Sequence, residues 1–293
     1  MKLVYGGVEA GGTKFVCAVG TGPGDLAARC EIPTTTPDET IHRVVDFVHA
    51  QPLDSLRGIG IASFGPLDLC PTSPAFGFIT STPKPGWQNV DIAGRLRAAL
   101  NRPVAIDTDV NAAALAEGEF GAARGLGNFV YFTIGTGIGA GIVVDGRIVH
   151  GRSHPECGHI RIPRDTADAS FAGACPYHGD CLEGLASGAA LQSRVGELAQ
   201  ALNPGHPVWD LEARYLALAV VNTFYTLAPE RIILGGGVMQ QAALFPAIRE
   251  EARRLFNGYA AVEQLDQFIV PPALGKDTGI LGAIFLASRA TSQ

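Results

Sequence analysis

Charge is scarce in this 293-residue chain: Asp, Glu, Lys and Arg together make up 17% of it. That scarcity, with 47% apolar residues, excludes a disordered or coiled-coil chain and leaves enough for a sizeable core. Positive charge is scarcer than negative: 22 Lys and Arg stand against 28 Asp and Glu, a net charge of -6. A general nucleic-acid binder would carry a basic patch, so none is expected here. The balance still permits a bound nucleotide, because a few amides and one cation can hold a phosphate chain. No run of about 18 uninterrupted apolar residues occurs, so no segment reads as a membrane span. The opening Met1-Lys2-Leu3-Val4-Tyr5-Gly6-Gly7 lacks a signal-peptide h-region and cleavage site, and a cytoplasmic location is expected. Thiols stay reduced there, so the six cysteines are expected as buried apolar residues or metal ligands rather than disulfides.

What is present is an α/β pattern long enough for one large unit or two lobes. Residues 2–8 and 14–19 are apolar strand candidates joined by Glu9-Ala10-Gly11-Gly12-Thr13. The unit recurs: strand 128–134, then Gly135-Thr136-Gly137-Ile138-Gly139, then strand 140–144. This internal echo suggests two lobes of related design. Pro37-Asp38 opens a helix with Ile41, Val44, Val45 and Val48 on one face, and Asp91 precedes Ile92, Leu96 and Leu100 in the same spacing. Residues 57–62 and 104–106 read as buried strands, and Asp145-Gly146 as a two-residue hairpin turn. Further on, helices are expected over 185–202, 211–227, 245–256 and 278–288, and strands over 231–234 and 268–270. A boundary between lobes is placed near Asn111.

Three glycine clusters follow strand candidates: Gly11-Gly12, Gly135 to Gly141, and Gly235-Gly236-Gly237. Glycine lets backbone amides approach a phosphate, because no Cβ intervenes. Thr13 and Thr136 add hydroxyl donors, and Lys14 adds a positive charge. Any one cluster could be a plain turn; two matching hairpins with Thr favour phosphate. The chain lacks a G-x-x-x-x-G-K-[ST] string, which excludes a P-loop. Gly135-x-Gly137-x-x-Ala140 resembles a dinucleotide fingerprint, but a strand follows where that fold needs a helix.

Asp107-Thr108-Asp109-Val110-Asn111 follows a buried strand and precedes an Ala-rich helix, 112–120. A carboxylate held there could accept the proton of an attacking hydroxyl; helix capping is the plainer use. Spacing leaves Asp107 and Asp109 equivalent. Cys175-Pro176-Tyr177-His178-Gly179-Asp180-Cys181 is a C-x2-H-x2-C run, with His159 upstream. Thiolate and imidazole are preferred ligands of tetrahedral Zn²⁺, and a closed set of four is structural. His154 and Cys157 compete with His159 for the fourth place. Glu156 and Glu183 flank these residues and could accept hydrogen bonds from sugar hydroxyls.

Together these strings resemble the ROK family of sugar kinases and repressors, and within it the zinc-containing bacterial fructokinases. The resemblance rests on Glu9-Ala-Gly-Gly-Thr-Lys14, Asp107-Thr-Asp-Val-Asn111, Gly135-Thr-Gly-Ile-Gly139, His154-Pro-Glu-Cys-Gly-His159, Cys175-Pro-Tyr-His-Gly-Asp-Cys-Leu-Glu183 and Leu234-Gly-Gly-Gly-Val238, and covers essentially the whole chain. It implies an α/β, two-lobed, actin-like (ribonuclease H-like) ATPase fold with an interlobe cleft. The N-terminal lobe would span 1–110, with the terminal helix 277–293 packing back on it, and the C-terminal lobe 111–276. By resemblance, Gly11, Gly12 and Thr13 match the first phosphate loop, beside Lys14. Gly135, Thr136 and Gly137 match the second, and Gly235 and Gly236 the adenosine-side turn. Asp109 matches the catalytic base. Glu156, His159 and Glu183 match sugar-contacting positions, and His159, Cys175, His178 and Cys181 the zinc ligands.

The implied reaction is ATP-dependent phosphorylation of the 6-hydroxyl of a hexose, D-fructose to fructose 6-phosphate, with Mg²⁺ and a structural Zn²⁺, in a cytoplasmic homodimer. The sugar and ATP are the expected partners, with no nucleic acid and no membrane. Departures bear on the sugar. Glu9 stands where many members have Asp at a position associated with Mg²⁺ water contacts, Thr108 stands where glucokinases have Asn, and the zinc loop carries Cys, His, Cys instead of three Cys. The last two, and the string Thr80-Ser-Thr-Pro-Lys-Pro-Gly-Trp87, favour fructose. Glucose, mannose and N-acetylhexosamine kinases of the family are the alternatives. A sugar-responsive repressor is a further one, disfavoured because no basic recognition helix precedes the first phosphate loop.

Overall fold

The structure is a computed structural model describing residues 3–260 and 262–291. Lys2, the start of the first expected strand, and the last two residues of the expected terminal helix lie outside the described residues. The chain divides into two compact units. One comprises the chain up to Gly125, Ile148–Pro155 and the segment from Ala273 onward; the other comprises Leu126–Arg147 and Glu156–Pro272.

In the first unit the chain runs β1 (Val4–Ala10), β2 (Lys14–Gly22), β3 (Asp25–Pro33), α1 (Pro37–His49) and β4 (Leu56–Ser63). It continues through the short β5 (Phe78–Ile79) and β6 (Val90–Asp91) to α2 (Ile92–Leu100), β7 (Val104–Thr108) and α3 (Asp109–Phe120). The main sheet has the order β3-β2-β1-β4-β7. β1–β2 and β2–β3 are antiparallel; β1–β4 and β4–β7 are parallel. Strand β2 is buried on both faces, which explains its near-continuous apolar run. Phe15, Cys17 and Val19 enter a core with Ile41, Val44 and Val48 of α1 and Leu96 of α2. Val16 and Ala18 point the other way, onto Ile280 and Ile284 of the C-terminal helix Thr278–Thr291. That helix lies directly on β4, because a Cβ at Gly60 would collide with the Ala283 carbonyl. Local signals set the helix starts: Thr36 caps α1 with Pro37 behind it, and Asp91 caps α2.

In the second unit, β8 (Phe129–Ile134), β9 (Ile138–Val144) and β10 (Arg147–Ile148) precede α4 (Leu182–Ala186), α5 (Gly188–Val195), α6 (Val208–Leu227), β11 (Arg231–Gly235), α7 (Leu244–Phe256), α8 (Leu265–Phe268) and β12 (Ile269–Val270). The sheet order is β10-β9-β8-β11-β12. β8–β9 is antiparallel, while β8–β11 and β11–β12 are parallel. Both sheets are therefore a glycine-turned hairpin whose first strand pairs with parallel neighbours. This is the echo expected from the two Gly/Thr turns. Asp145 and Gly146, with φ of 51° and 71°, make the tight turn into β10.

Several elements differ from expectation. The helix expected over 185–202 is broken. Ser187 is extended (φ −82, ψ 165), caps α5 through Ala190 N–H, and Gly196 (φ 80) ends that helix. Serine competes for backbone donors, so an unbroken apolar period hid a cap. The helix expected over 112–120 begins at Asp109, with Thr108 as its cap. Phe268 closes α8, and only Ile269–Val270 is strand. β3 escaped notice because it is an edge strand carrying Asp25, Arg29 and Glu31. The first unit keeps α3 whole and runs to Gly125, past the boundary expected near Asn111. Among the described residues no helix is long and apolar enough to cross a membrane.

Candidate functional site

The first glycine turn is bolted by a residue from the end of β3. Gly11 N–H donates to the Lys14 carbonyl at 3.0 Å, and Thr34 N–H donates to the Thr13 carbonyl at 2.9 Å. Thr34 Oγ1 donates to the Gly11 carbonyl at 2.7 Å. A Cβ at Gly11 would sit 2.7 Å from the Lys14 carbonyl oxygen, whereas Gly12 faces open space. Lys14 is exposed and its Nζ lies 2.7 Å from Glu31 on β3. Glu9, at the end of β1, has its pKa pushed up to about 7, first by burial and then by the charge of Asp109, with Arg29 and Lys14 pulling it down.

Asp107 and Asp109 part company in the structure. Asp107 is buried and its carboxylate accepts Thr108 N–H at 2.8 Å and Asn111 Nδ2 at 2.6 Å. His150 Nε2 lies 3.1 Å from its other oxygen. This hydrogen bond to Asp107 pushes the His150 pKa up. Asp109 is half-buried in the first turn of α3, where its Oδ1 accepts Val110 N–H at 2.9 Å. The N-cap of α3 is Thr108, whose Oγ1 accepts Asn111 N–H at 3.2 Å. His150 was missed in the sequence: a lone histidine after a hairpin carries no periodic or motif signal.

In the same unit, the Thr80–Trp87 string is anchored by Trp87. Its ring is fully buried beside Phe15, 5.3 Å between centroids, and its Nε1 donates to the Thr35 carbonyl at 2.9 Å. His154 is buried and its Nε2 accepts Leu67 N–H at 3.1 Å, while burial depresses its pKa. It is thereby removed from any metal cluster.

In the second unit, Gly135 N–H closes the glycine turn onto the Gly137 carbonyl at 2.9 Å. Gly236 sits at φ 95, against the Ile134 carbonyl where a Cβ would collide. The second and third glycine clusters meet in one pocket of about 270 Å³, lined by Gly135, Thr136, Gly188, Gln192, Gln200 and Gly237 among others. The two glutamines carry hydrogen-bonding amides and had no sequence signal.

His159, Cys175, His178 and Cys181 converge, their donor atoms all within 4.8 Å of one another. Cys157 is outside the cluster. His159 Nδ1 lies 3.7 Å from Cys175 Sγ, 3.5 Å from Cys181 Sγ and 3.2 Å from His178 Nδ1. Tetrahedral zinc with bonds of about 2.0–2.3 Å requires ligand separations of roughly 3.3–3.8 Å, and the separations among His159, Cys175 and His178 and from His159 to Cys181 lie close to that range. Burial pushes the Cys181 thiol up to about 11, so ligation by thiolate needs a cation to offset it. The loop is pinned by Arg161, which donates to the His178 carbonyl, and by Arg164 Nη2, 2.9 Å from Asp180. Glu156 beside the cluster has its pKa raised by burial, with His159 pulling down and Glu183 pushing up.

Two glycine-turned sheets, a carboxylate at a helix start and a Cys/His cluster define a sugar-kinase type of the actin-like ATPase fold. The model of the ROK family matches residues 5–290, and the chain belongs to that family. It is 46% identical to the fructokinase of Pediococcus pentosaceus over 288 residues, 98% of this chain and 99% of that one. Among solved structures, the ROK hexokinase of Thermus thermophilus is similar with a TM-score of 0.81 and 29% identity, covering 100% of this chain and 99% of that chain. A ROK family glucokinase of Streptomyces griseus, solved with glucose and AMPPNP, gives 0.77 and 25%, over 98% and 99%.

Proposed function

We propose that this chain is an ATP-dependent fructokinase that converts D-fructose to fructose 6-phosphate. The observation that carries the reading is 46% identity along the whole chain to a fructokinase, against 25% to a structurally similar glucokinase.

The residue roles follow by unit. In the N-terminal lobe, Gly11, Gly12 and Thr13 offer amides and a hydroxyl to phosphate. Asp109 takes the proton of the sugar's 6-hydroxyl as that oxygen attacks the γ-phosphorus. Asp107 is held by Thr108, Asn111 and His150, and Asp109, in the first turn of α3, stands at the position that matches the family's base. In the C-terminal lobe, Gly135, Thr136 and Gly137 hold phosphate, and Gly235 and Gly236 border the adenosine, next to Gly237 in the pocket that Gln192 and Gln200 help to line. Glu156, His159 and Glu183 hold sugar hydroxyls. Mg²⁺ bound with ATP would supply positive charge to offset that of the phosphates during transfer. His159, Cys175, His178 and Cys181 would hold Zn²⁺, which would cross-link the Cys175–Cys181 loop to the segment that carries Glu156 and His159.

A coupled ADP-release assay over fructose, glucose, mannose and N-acetylhexosamines tests the reading. Fructose is expected to give the highest kcat/KM. A higher value for another sugar would transfer the assignment to that sugar, and no ADP release with any would overturn the kinase reading.

A further inference from the structure

Ile138, where the second glycine turn enters β9, has its backbone gripped from two sides. Its N–H donates to Glu183 Oε2 at 2.9 Å. Its carbonyl lies so close to Gly158 that no Cβ fits there. One residue earlier, a Cβ at Gly137 would sit 2.5 Å from the same Glu183 oxygen. The grip comes from the two metal-bearing strings. Glu183 is in the first turn of α4, which starts right after Cys181, and Gly158 lies in the turn Cys157–His159. Leu182 N–H joins the two strings through the Ile160 carbonyl at 2.9 Å. The other end of the glycine turn is held from the same stretch of chain: Gly188 N–H donates to the Gly135 carbonyl at 2.7 Å, and Ala189 N–H to the Thr136 carbonyl at 3.3 Å.

We propose that Glu183 is a positioning residue for the nucleotide, holding the turn Gly135–Ile138 in the shape that receives phosphate. A glycine-rich turn left to itself samples many backbone states. Apparent affinity then falls by the fraction of time the receptive shape is absent. A charged acceptor on Ile138 N–H, with Gly158 as the opposing wall, removes that freedom before the nucleotide arrives. The task occupies one carboxylate oxygen, and the sugar contact proposed above would use the other. The metal strings would thus serve the phosphate side of the site as well as the sugar side. The inference rests on the reading of Gly135-Thr136-Gly137 as a phosphate loop.

The test is calorimetric binding of AMPPNP to the full-length, zinc-loaded protein without sugar. Glu183→Ala is expected to weaken binding about tenfold, the equivalent of roughly 1.4 kcal/mol for one charge-assisted bond. Glu183→Gln, whose Oε1 can accept the same N–H, is expected to stay within about threefold of the native protein. Zinc content should be unchanged in both. Where the alanine variant does not fold, Glu183→Asp, charged but one methylene short, takes its place with the same expectation. Native AMPPNP affinity in the alanine or aspartate variant would overturn the inference and confine Glu183 to the sugar. Gly137→Val separates the two levels. If it also binds AMPPNP normally, the phosphate-loop reading fails; if it weakens binding while Glu183→Ala does not, only the positioning role fails.

Discussion

The buried carboxylate of Glu117 accepts the hydroxyl of Thr278 at 3.1 Å, tying the middle of the chain to the start of its last helix. The same carboxylate accepts Ala122, Ala273 and Leu274 N–H at 2.7, 3.0 and 3.1 Å. It therefore satisfies the exit of α3 and the entry of the C-terminal helix together. Glu117→Ala removes four hydrogen bonds to a buried carboxylate, each bond to a charged group contributing about 1.5–3 kcal/mol. A fall in Tm of about 10 °C is expected by scanning calorimetry. An unchanged Tm would show that water replaces the carboxylate without loss.

Asp109→Ala should lower kcat for fructose phosphorylation by about 10²–10⁴, the usual worth of a positioned base. Fructose affinity measured by calorimetry should change little. Near-native turnover would remove Asp109 from the proton path. Asp107→Asn is the informative companion, since it alters the partner of Asn111 and His150 and leaves Asp109 unchanged.

Elemental analysis should find one zinc per chain, and Cys175→Ser should lose it. A strong chelator is expected to lower the Tm of the second unit and release the Cys175–Cys181 loop to proteolysis. A metal-free native protein of unchanged Tm would contradict the structural role.

Glu212 lies fully buried in α6, and neither carboxylate oxygen has a hydrogen-bond partner among the described residues. Burial pushes its pKa well up, with Arg194 pulling it down. A raised folded-state pKa contributes stability below the unfolded value, and that contribution is lost as pH rises through the folded value. Glu212→Gln cannot ionise. Its Tm should gain on the native protein as pH rises above the ordinary carboxylate range. A constant difference over that rise would show that Glu212 is charged throughout.

Much of this arrangement was legible in the chain. The glycine turns at Gly11 and Gly135 are visible because each glycine string separates two apolar runs, and at Gly11 a Cβ would sit 2.7 Å from the Lys14 carbonyl oxygen; both sheets are built on these turns. The C-x2-H-x2-C run is short enough that three donors had to be neighbours. Helices with a start signal and a regular apolar period, such as α1 from Pro37-Asp38 and α2 from Asp91, could be placed from residue spacing alone.

Other features depend on what lies beside a residue in space, and spacing along the chain says nothing of that. Asp107 and Asp109 look alike in sequence; three neighbours, one of them His150, occupy the first. His154 and His159 were rival ligands until Leu67 N–H took one of them. Glu183 showed its hold on Ile138, and Ser187 its break in an apolar period, only once the folded chain supplied their partners. Covalent order sets local backbone preference and ligand spacing, because those act over a few residues. Which polar group is spent and which is left for chemistry is a matter of long-range hydrogen bonds, and folding alone assigns them.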